Sequence, residues 1–288
     1  MNAALILDLK KSRKYSIDER NEIQQYLVKI TDALNELFEK RIVRELRFNG
    51  GDELQGLFSD PESAFLCLRM LSRTLYRIHY HAGIGIGEWT TVVNERDTFY
   101  QDGPVYHRAR KAIDLAKKES DYTAMIVSDK ECDPVLNAML NGCYRLISSN
   151  SSYQNELAIL LECRYPILHD YPFQYGAMSS LLEIIRNNNN ITMKQRTHGN
   201  DTDIIETNKV INQKVILNES SIVEYIELNQ KTDDVFFKNS HPYGAASELA
   251  EYTELTRQAV DKALRKANTY TERSLAIAIV KMLRQTEF

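Results

Sequence analysis

No two cysteines of this chain stand in a CxxC pair, and that absence removes the commonest zinc and dithiol motifs at once. The four cysteines, Cys67, Cys132, Cys143 and Cys163, each sit among apolar neighbours. That placement reads as buried, reduced thiols rather than a disulfide framework. His79, His81 and His107 show no metal-ligand spacing, so no zinc site is read from them either. No apolar run approaches the ~18 residues that a membrane-spanning helix needs. The opening MNAALILDLKK has an apolar stretch too short for a signal peptide, with its charges on the wrong side. The expectation is a cytosolic, cytoplasmic protein without a membrane partner. A large excess of one charge is also lacking. The formal net charge is −4, so the surface as a whole does not attract nucleic acid, and any DNA contact must come from a local patch. No internal repeat is present.

What is there is a chain of 288 residues, 43% hydrophobic and 26% charged, long enough for one large domain or two ordinary ones. Ala3 to Leu9 is a short apolar run that reads as a buried strand with Asp8 near its end. Ser16 can cap a helix over about 17–40, whose Ile23, Leu27, Ile30, Leu34, Leu37 and Phe38 fall three or four apart. Val43 to Phe48 and Leu54 to Phe58 alternate as two strands around Asn49-Gly50, a strong hairpin signal because the turn needs positive φ. Asp60-Pro61-Glu62 opens a helix to about Ile78. Tyr80 to Thr91 is strand-like with interleaved glycines, a helix opens near Pro104 and runs to about Lys118, and Thr123 to Asp129 is a further strand.

That order is β-α-β-β-α-β with an appended α-β unit, the ferredoxin-like order. The expected fold is therefore α+β, a ferredoxin-like, mainly antiparallel sheet with helices on one face. A helical C-terminal region containing a helix-turn-helix follows it. Helical segments are predicted near 134–146 and 154–163. Asn187–Asn190 and Thr197–Asp203 read as loops, and residues 213–230 as a strand turning into a helix. The predicted units are 1–165, a helical or irregular connector over 166–240, and 241–288.

The centre of the hairpin, RFNGGDELQGLF (residues 47–58), carries more than a turn requires. Nucleotidyl transfer asks a protein mainly for a divalent cation on the triphosphate and for positioning. Magnesium favours one or two carboxylates plus substrate phosphates. Asp8 at the end of the first strand and Asp52 in the neighbouring hairpin meet that demand if the first strand lies beside the hairpin. Gly50 and Gly51 lack side chains and let a base or phosphate approach the backbone. Each of these also has a plain structural reading, with Asp52 and Glu53 as solvated turn acids and Asp8 as a loop cap. The basic run Lys10, Lys11, Arg13 and Lys14 beside Asp8 is either a solvated face or a counterweight to triphosphate charge. Arg108, Arg110 and Lys111 stand near a helix N-terminus, where anions are favoured over cations. A bound anion would explain them.

RFNGGDELQGLF resembles the signature hairpin of GGDEF diguanylate cyclases. LILDLKKSR resembles the metal-binding first strand of class III nucleotidyl cyclases, and both resemblances imply a palm-type, nucleotidyl-cyclase-like fold with this strand order. The combination ILDLKKSR, GGDELQGLF, GIGIGE and DGPVYHRARKA, with a C-terminal helix-turn-helix, resembles the SatD family more closely still. The resemblance covers roughly residues 3–130 and the last forty or so. It implies Asp8 and Asp52 as ligands of Mg (or Mn), the Leu9 carbonyl as a further ligand, and Glu53 as a base or second ligand. Gly50 and Gly51 would line the nucleotide. In cyclases a G-x-x-x-N-x-A-x-R helix start contacts ribose and phosphate. Gly103, His107, Ala109 and Lys111 fall at those offsets, with His107 in place of Asn and Lys111 in place of Arg. The aromatic-Lys and Asn-Asp residues of diguanylate cyclases are absent, so cyclic di-GMP synthesis is not expected.

Near the C-terminus, ASELAEYTELTRQAVDKALRKA (246–267) fits a helix-turn-helix. Leu249 and Ala250 would pack in the first helix and Leu255 in the turn. Ala259, Val260 and Leu264 would bury one face of the second helix. Thr256 would cap that second helix, which would present Arg257, Gln258, Asp261, Lys262 and Arg265 outward, where Arg and Gln suit bidentate contacts with bases. Acidic and basic residues between Glu248 and Lys266 nearly cancel, so a structural hairpin or dimerisation element is the alternative. The helix over 272–283 fits either a core helix or a homodimer interface. Three functional readings follow. The first is a metal-dependent nucleotide-binding regulator coupled to a DNA- or partner-binding tail. The second is an active nucleotidyltransferase or cyclase. The third is a DNA-binding protein on a degenerate palm scaffold.

Overall fold

The structure, a computed structural model, describes residues 1–10, 16–49, 53–75, 78–89, 103–167, 175–187, 222–223, 237 and 240–288. Five strands and nine helices lie among them: β1 (Asn2–Leu9), α1 (Ile17–Leu37), β2 (Ile42–Asn49), β3 (Glu53–Phe58), α2 (Pro61–Thr74), β4 (Tyr80–Gly87), α3 (Pro104–Lys118), β5 (Ala124–Val127), α4 (Asp133–Ser148), α5 (Ser152–Arg164), α6 (Tyr175–Asn187), α7 (Ala245–Glu251), α8 (Arg257–Lys266) and α9 (Thr269–Gln285).

The strands form one sheet in the order β2-β3-β1-β4-β5. β1 is central and pairs antiparallel with both β3 and β4, and β2 pairs antiparallel with β3. β4 and β5 run parallel. The sheet is thus mixed: mainly antiparallel, as the sequence suggests, with one parallel pair. The cause is α3, which crosses over between β4 and β5 and returns the chain in the same direction.

A second difference concerns the layers. Helices cover both faces of the sheet, not one. Ala3, Leu5 and Leu7 of β1 join the large core under α1 and α2. Ala4 and Ile6, with Leu57 of β3, pack against Val105, Ala109 and Ile113 of α3 on the other face. An unbroken apolar strand such as AALIL has no solvent side to offer, and it demands cover on both faces.

Helix starts follow their local chemistry. Asp60 caps α2 by accepting from Ser63 N at 2.8 Å, with Pro61 in the first turn. The helix stops at Thr74, short of Ile78. Gly103 caps α3 with φ 120, a backbone region that favours glycine, and Pro104 follows. Gly83 and Gly85 serve the layer above them: a Cβ on either would strike the backbone of α3 at Ala109, so their absence of side chain lets α3 lie directly on β4.

Beyond the sheet, α5 is buried along its length from Gln154 to Arg164, charged residues included. α9 buries Ala276, Ile277, Ile279 and Val280 and packs on α2 and α4, the core-helix alternative for this segment. All four cysteines are free; Cys67, Cys143 and Cys163 are buried and Cys132 is partly so. α6 lies inside the connector expected over 166–240. Of the loop expected over 187–190, Asn187 instead closes α6; residues 188–190, the expected loop at 197–203 and nearly all of 213–230 fall outside the described residues.

Candidate functional site

The register of β1 sets the site. Asp8 lies directly opposite Glu53 on β3 and opposite His81 on β4. Directly opposed residues of an antiparallel pair point to the same face. All three therefore project from the face that α3 covers, at the end of the sheet where the β2–β3 connection lies. Gln55 shares the face, two residues along from Glu53.

α3 brings cations to this edge. Arg110 and Lys117 are seven residues apart and share one side of the helix with Asp114 between them. Lys117 Nζ lies 2.6 Å from Asp8 Oδ2. Arg110 clasps Glu53 with both guanidinium nitrogens, Nη2 donating to Oε1 at 2.8 Å and Nη1 to Oε2. This is the two-pronged geometry in which arginine and carboxylate fit best. Gln55 Nε2 donates to the same carboxylate. Burial works against the charge on Glu53, but the hydrogen bonds from Arg110 and Gln55 outweigh it and lower its pKa. Glu53 is thus held ionised, and both acids already face a positive charge.

His81 completes the group. Burial, then Lys10 and Lys117, push its pKa down to about 4 against an ordinary 6.5, with Asp8 opposing them. The imidazole is neutral at pH 7. The folded pKa is depressed, so on acidification the unfolded chain takes up the proton first. The stability this group contributes is full above about pH 6.5 and falls away as the pH drops toward 4. We expect an NMR titration to place the His81 imidazole near pH 4, and Lys117→Gln to move it upward. A midpoint near 6.5 in the native chain would show that Lys117 and burial do not shape this edge.

The structure distributes the other sequence-predicted residues unevenly. Leu9 is buried with its side chain in the core on the opposite face, which leaves only its backbone carbonyl for the ligand role expected of it. Lys111 is not brought to Glu53. Its Nζ lies 2.9 Å from Asp129 Oδ1, and Arg108 Nε lies 2.8 Å from the other oxygen of the same carboxylate. The basic residues at the start of α3 therefore have protein partners, Asp129 for Arg108 and Lys111 and Glu53 for Arg110. The bound anion expected from sequence is not needed to explain them. His107 is exposed in the first turn of α3. Lys11, Arg13, Gly50, Gly51 and Asp52 lie outside the described residues. Among the described residues no three His, Cys, Asp or Glu side chains come together as a metal cluster. The sequence reading missed His81, Gln55 and Lys117. The i, i+4, i+7 spacing of Arg110, Asp114 and Lys117 is the signal that marks the last of these.

At the C-terminus, α7 and α8 are joined through residues 252–256. Thr256 caps α8 by accepting from Ala259 N at 3.3 Å. Val260 and Leu264 are buried, while Thr256, Arg257, Gln258, Lys262 and Arg265 are exposed. Arg265 Nε pairs with Asp261 Oδ2 at 2.8 Å. The pair of helices is tied to α5, where Arg164 Nη2 meets Glu248 Oε2 at 2.7 Å and stacks on Tyr252.

Fold and edge together define an α+β protein. A five-stranded mixed sheet gathers paired carboxylates and basic side chains at one end, and C-terminal helices pack on α2, α4 and α5. No helix among the described residues is long and apolar enough to cross a membrane. The model of the SatD family matches residues 2–185, and the chain belongs to that family. No curated protein and no solved structure matches it.

Proposed function

We propose that the Asp8–Glu53 edge binds a nucleoside triphosphate with magnesium or manganese, and that the exposed face of α8 couples this binding to DNA or a protein partner. The observation that carries the reading is the register of β1 against β3, which sets Asp8 opposite Glu53 beside the hairpin that holds Asp52. The strand order β4-β1-β3-β2 in a β-α-β-β-α-β chain supports a ferredoxin-like, palm-type core. The donor set suits a hard cation, since Asp8, Glu53 and the Leu9 carbonyl offer oxygen alone. Asp52 would add a further carboxylate. A cation would compete with Lys117 for Asp8, and Lys117 and Arg110 would then be available to phosphate. Arg257, Gln258 and Lys262 on α8 are of the residue types that read base edges.

The test is thermal stabilisation by each of the four ribonucleoside triphosphates with magnesium. Ligand at about a hundred times its Kd stabilises the native state by roughly 2.7 kcal/mol. We expect such a rise with at least one triphosphate, dependent on metal and abolished by Asp8→Asn and by Asp52→Ala. Stabilisation that survives both substitutions would remove this edge as the site. Pyrophosphate release lost in Asp52→Ala would make the protein a nucleotidyltransferase. DNA retardation lost in Arg257→Ala, with no nucleotide effect, would favour a DNA-binding protein on a degenerate scaffold.

A further inference from the structure

Among the described strands, β2 and β5 end the sheet, and an end strand turns one row of backbone groups away from it. Such a row is a ready template for another chain. On both edges an asparagine stands where that chain would lie. Asn35, in the last turn of α1, accepts from Leu46 N at 2.8 Å and donates from Nδ2 to Leu46 O at 3.1 Å. Asn137 of α4 accepts from Ile126 N at 2.7 Å and donates to Ile126 O at 2.8 Å. Each carboxamide thus makes the pair of bonds that a residue of an antiparallel neighbour exchanges with the residue opposite. Positions beside them are covered too. Ile42 N donates to Phe38 O at 2.9 Å. Ser128 N donates to Asp133 Oδ2 at 2.9 Å, one turn of α4 before Asn137.

The helices themselves do not ask for these residues. Asparagine is a poorer helix former than alanine or leucine, because its side chain competes for nearby backbone groups. Asn35 and Asn137 nevertheless lie inside α1 and α4, with their carboxamides engaged on a strand. Two helices far apart in the chain, one at each edge, use the same device. We propose that Asn35 and Asn137 lock the edges of the sheet, and that the β2 edge behind Asn35 is a surface to which a second copy of this chain adds when the lock is absent. β2 is the longer edge, eight residues against four in β5. It is also self-complementary. A two-fold pairing of β2 with itself, centred on Leu46, joins the Leu46 N–H and C=O of the two copies. The same pairing sets Arg47 of one copy opposite Glu45 of the other, both exposed. A bulge, where Glu45 and Leu46 stand against Gly56 alone, bends the strand and keeps that ladder short. Leu46 is its centre, and Asn35 occupies Leu46.

Sedimentation velocity of the full chain over a range of concentrations tests this. Asn35→Leu keeps the size of the side chain and removes both bonds to Leu46. We expect its weight-average mass to rise with concentration to at least twice that of the native chain at the same loading. Val43→Lys added to Asn35→Leu puts a charge on the opened edge, at an exposed position of β2, and should restore the native mass without restoring the asparagine. Gly85→Ala, which strains the packing of α3 and opens no edge, should sediment as the native chain does, so association from lost stability alone is told apart. Hydrogen exchange on the native protein needs no variant: the Leu46 and Ile126 amides should be protected like those inside the sheet, although both strands are edges. The proposal is overturned if folded Asn35→Leu sediments as the native chain, if Val43→Lys fails to reverse its association, if Gly85→Ala associates to the same degree, or if the native Leu46 amide exchanges as fast as an open one.

Discussion

Replacing Glu272 with Gln is expected to destabilise the protein by about 3–5 kcal/mol, the range for removing one partner of a buried ion pair. Glu272 sits 1% exposed on α9, yet its carboxylate serves two arginines of α2. Arg69 Nε and Nη2 lie 2.6 and 2.7 Å from its two oxygens, and Arg73 donates to the second. Arg69 also reaches Glu162 of α5 at 2.7 Å, and Arg273 of α9 donates to that same Glu162 oxygen. Three guanidinium groups therefore share two carboxylates in a dry interior. Arg73 already leaves Nε and Nη1 unpartnered. Gln at 272 keeps the shape but leaves three cations with one anion. Burial alone opposes each charge, so the uncompensated cations should loosen α9 from α2.

The measurement is denaturant unfolding of Glu272→Gln beside the double variant Arg69→Met with Glu272→Leu. Apolar groups of similar volume in place of a buried pair are often neutral or better. Recovery of most of the loss in the double variant would mark the cost as electrostatic. A loss below about 1 kcal/mol in Glu272→Gln would mean the network contributes little. Acid supplies a second readout. Burial raises the pKa of Glu162, but Arg273 and Arg69 outweigh it and bring it down to about 2 from an ordinary 4.5. The unfolded chain is protonated first as the pH falls. The stability from Glu162 is full above about pH 4.5 and is lost as the pH drops toward 2.

This network marks where the sequence stops being legible. The buried run of β1, the Asp60-Pro61 helix start, the Pro104 start and the Thr256 cap all announce themselves locally, through periodicity and capping chemistry. α5 is legible as a helix near 154–163, but its surroundings are not. It is buried all round, and nothing local shows Glu156, Glu162 and Arg164 enclosed until the arginines of α2 and α9 are placed beside them. Arg69 and Glu272 are separated by 203 residues, and no window of sequence shows one to the other. The edge site is half legible for the same reason. Asp8 and Glu53 stand out as acids at strand ends, whereas their partners Lys117 and Arg110 come from a helix whose tilt only the packed structure reveals.

That tilt rests on two glycines, and Gly85→Ala should therefore lower stability where the same change on an open strand would raise it. Alanine in place of glycine ordinarily contributes about 0.4–1 kcal/mol by restricting the unfolded chain. At Gly85 a Cβ would fall on Ala109 N and Val105 O, far inside van der Waals contact. Both are backbone atoms of a helix, so no side chain can swing aside; the helix itself must lift. Overpacking of this kind costs about 1–3 kcal/mol, and Gly85→Val should exceed that range. The effect should also travel. Raising α3 draws Lys117 from Asp8 and Arg110 from Glu53, so the His81 titration should move up from about 4 in step with the loss of stability. A Gly85→Ala protein that is more stable than the parent, with His81 unmoved, would show that α3 does not lie on β4 as closely as this geometry requires.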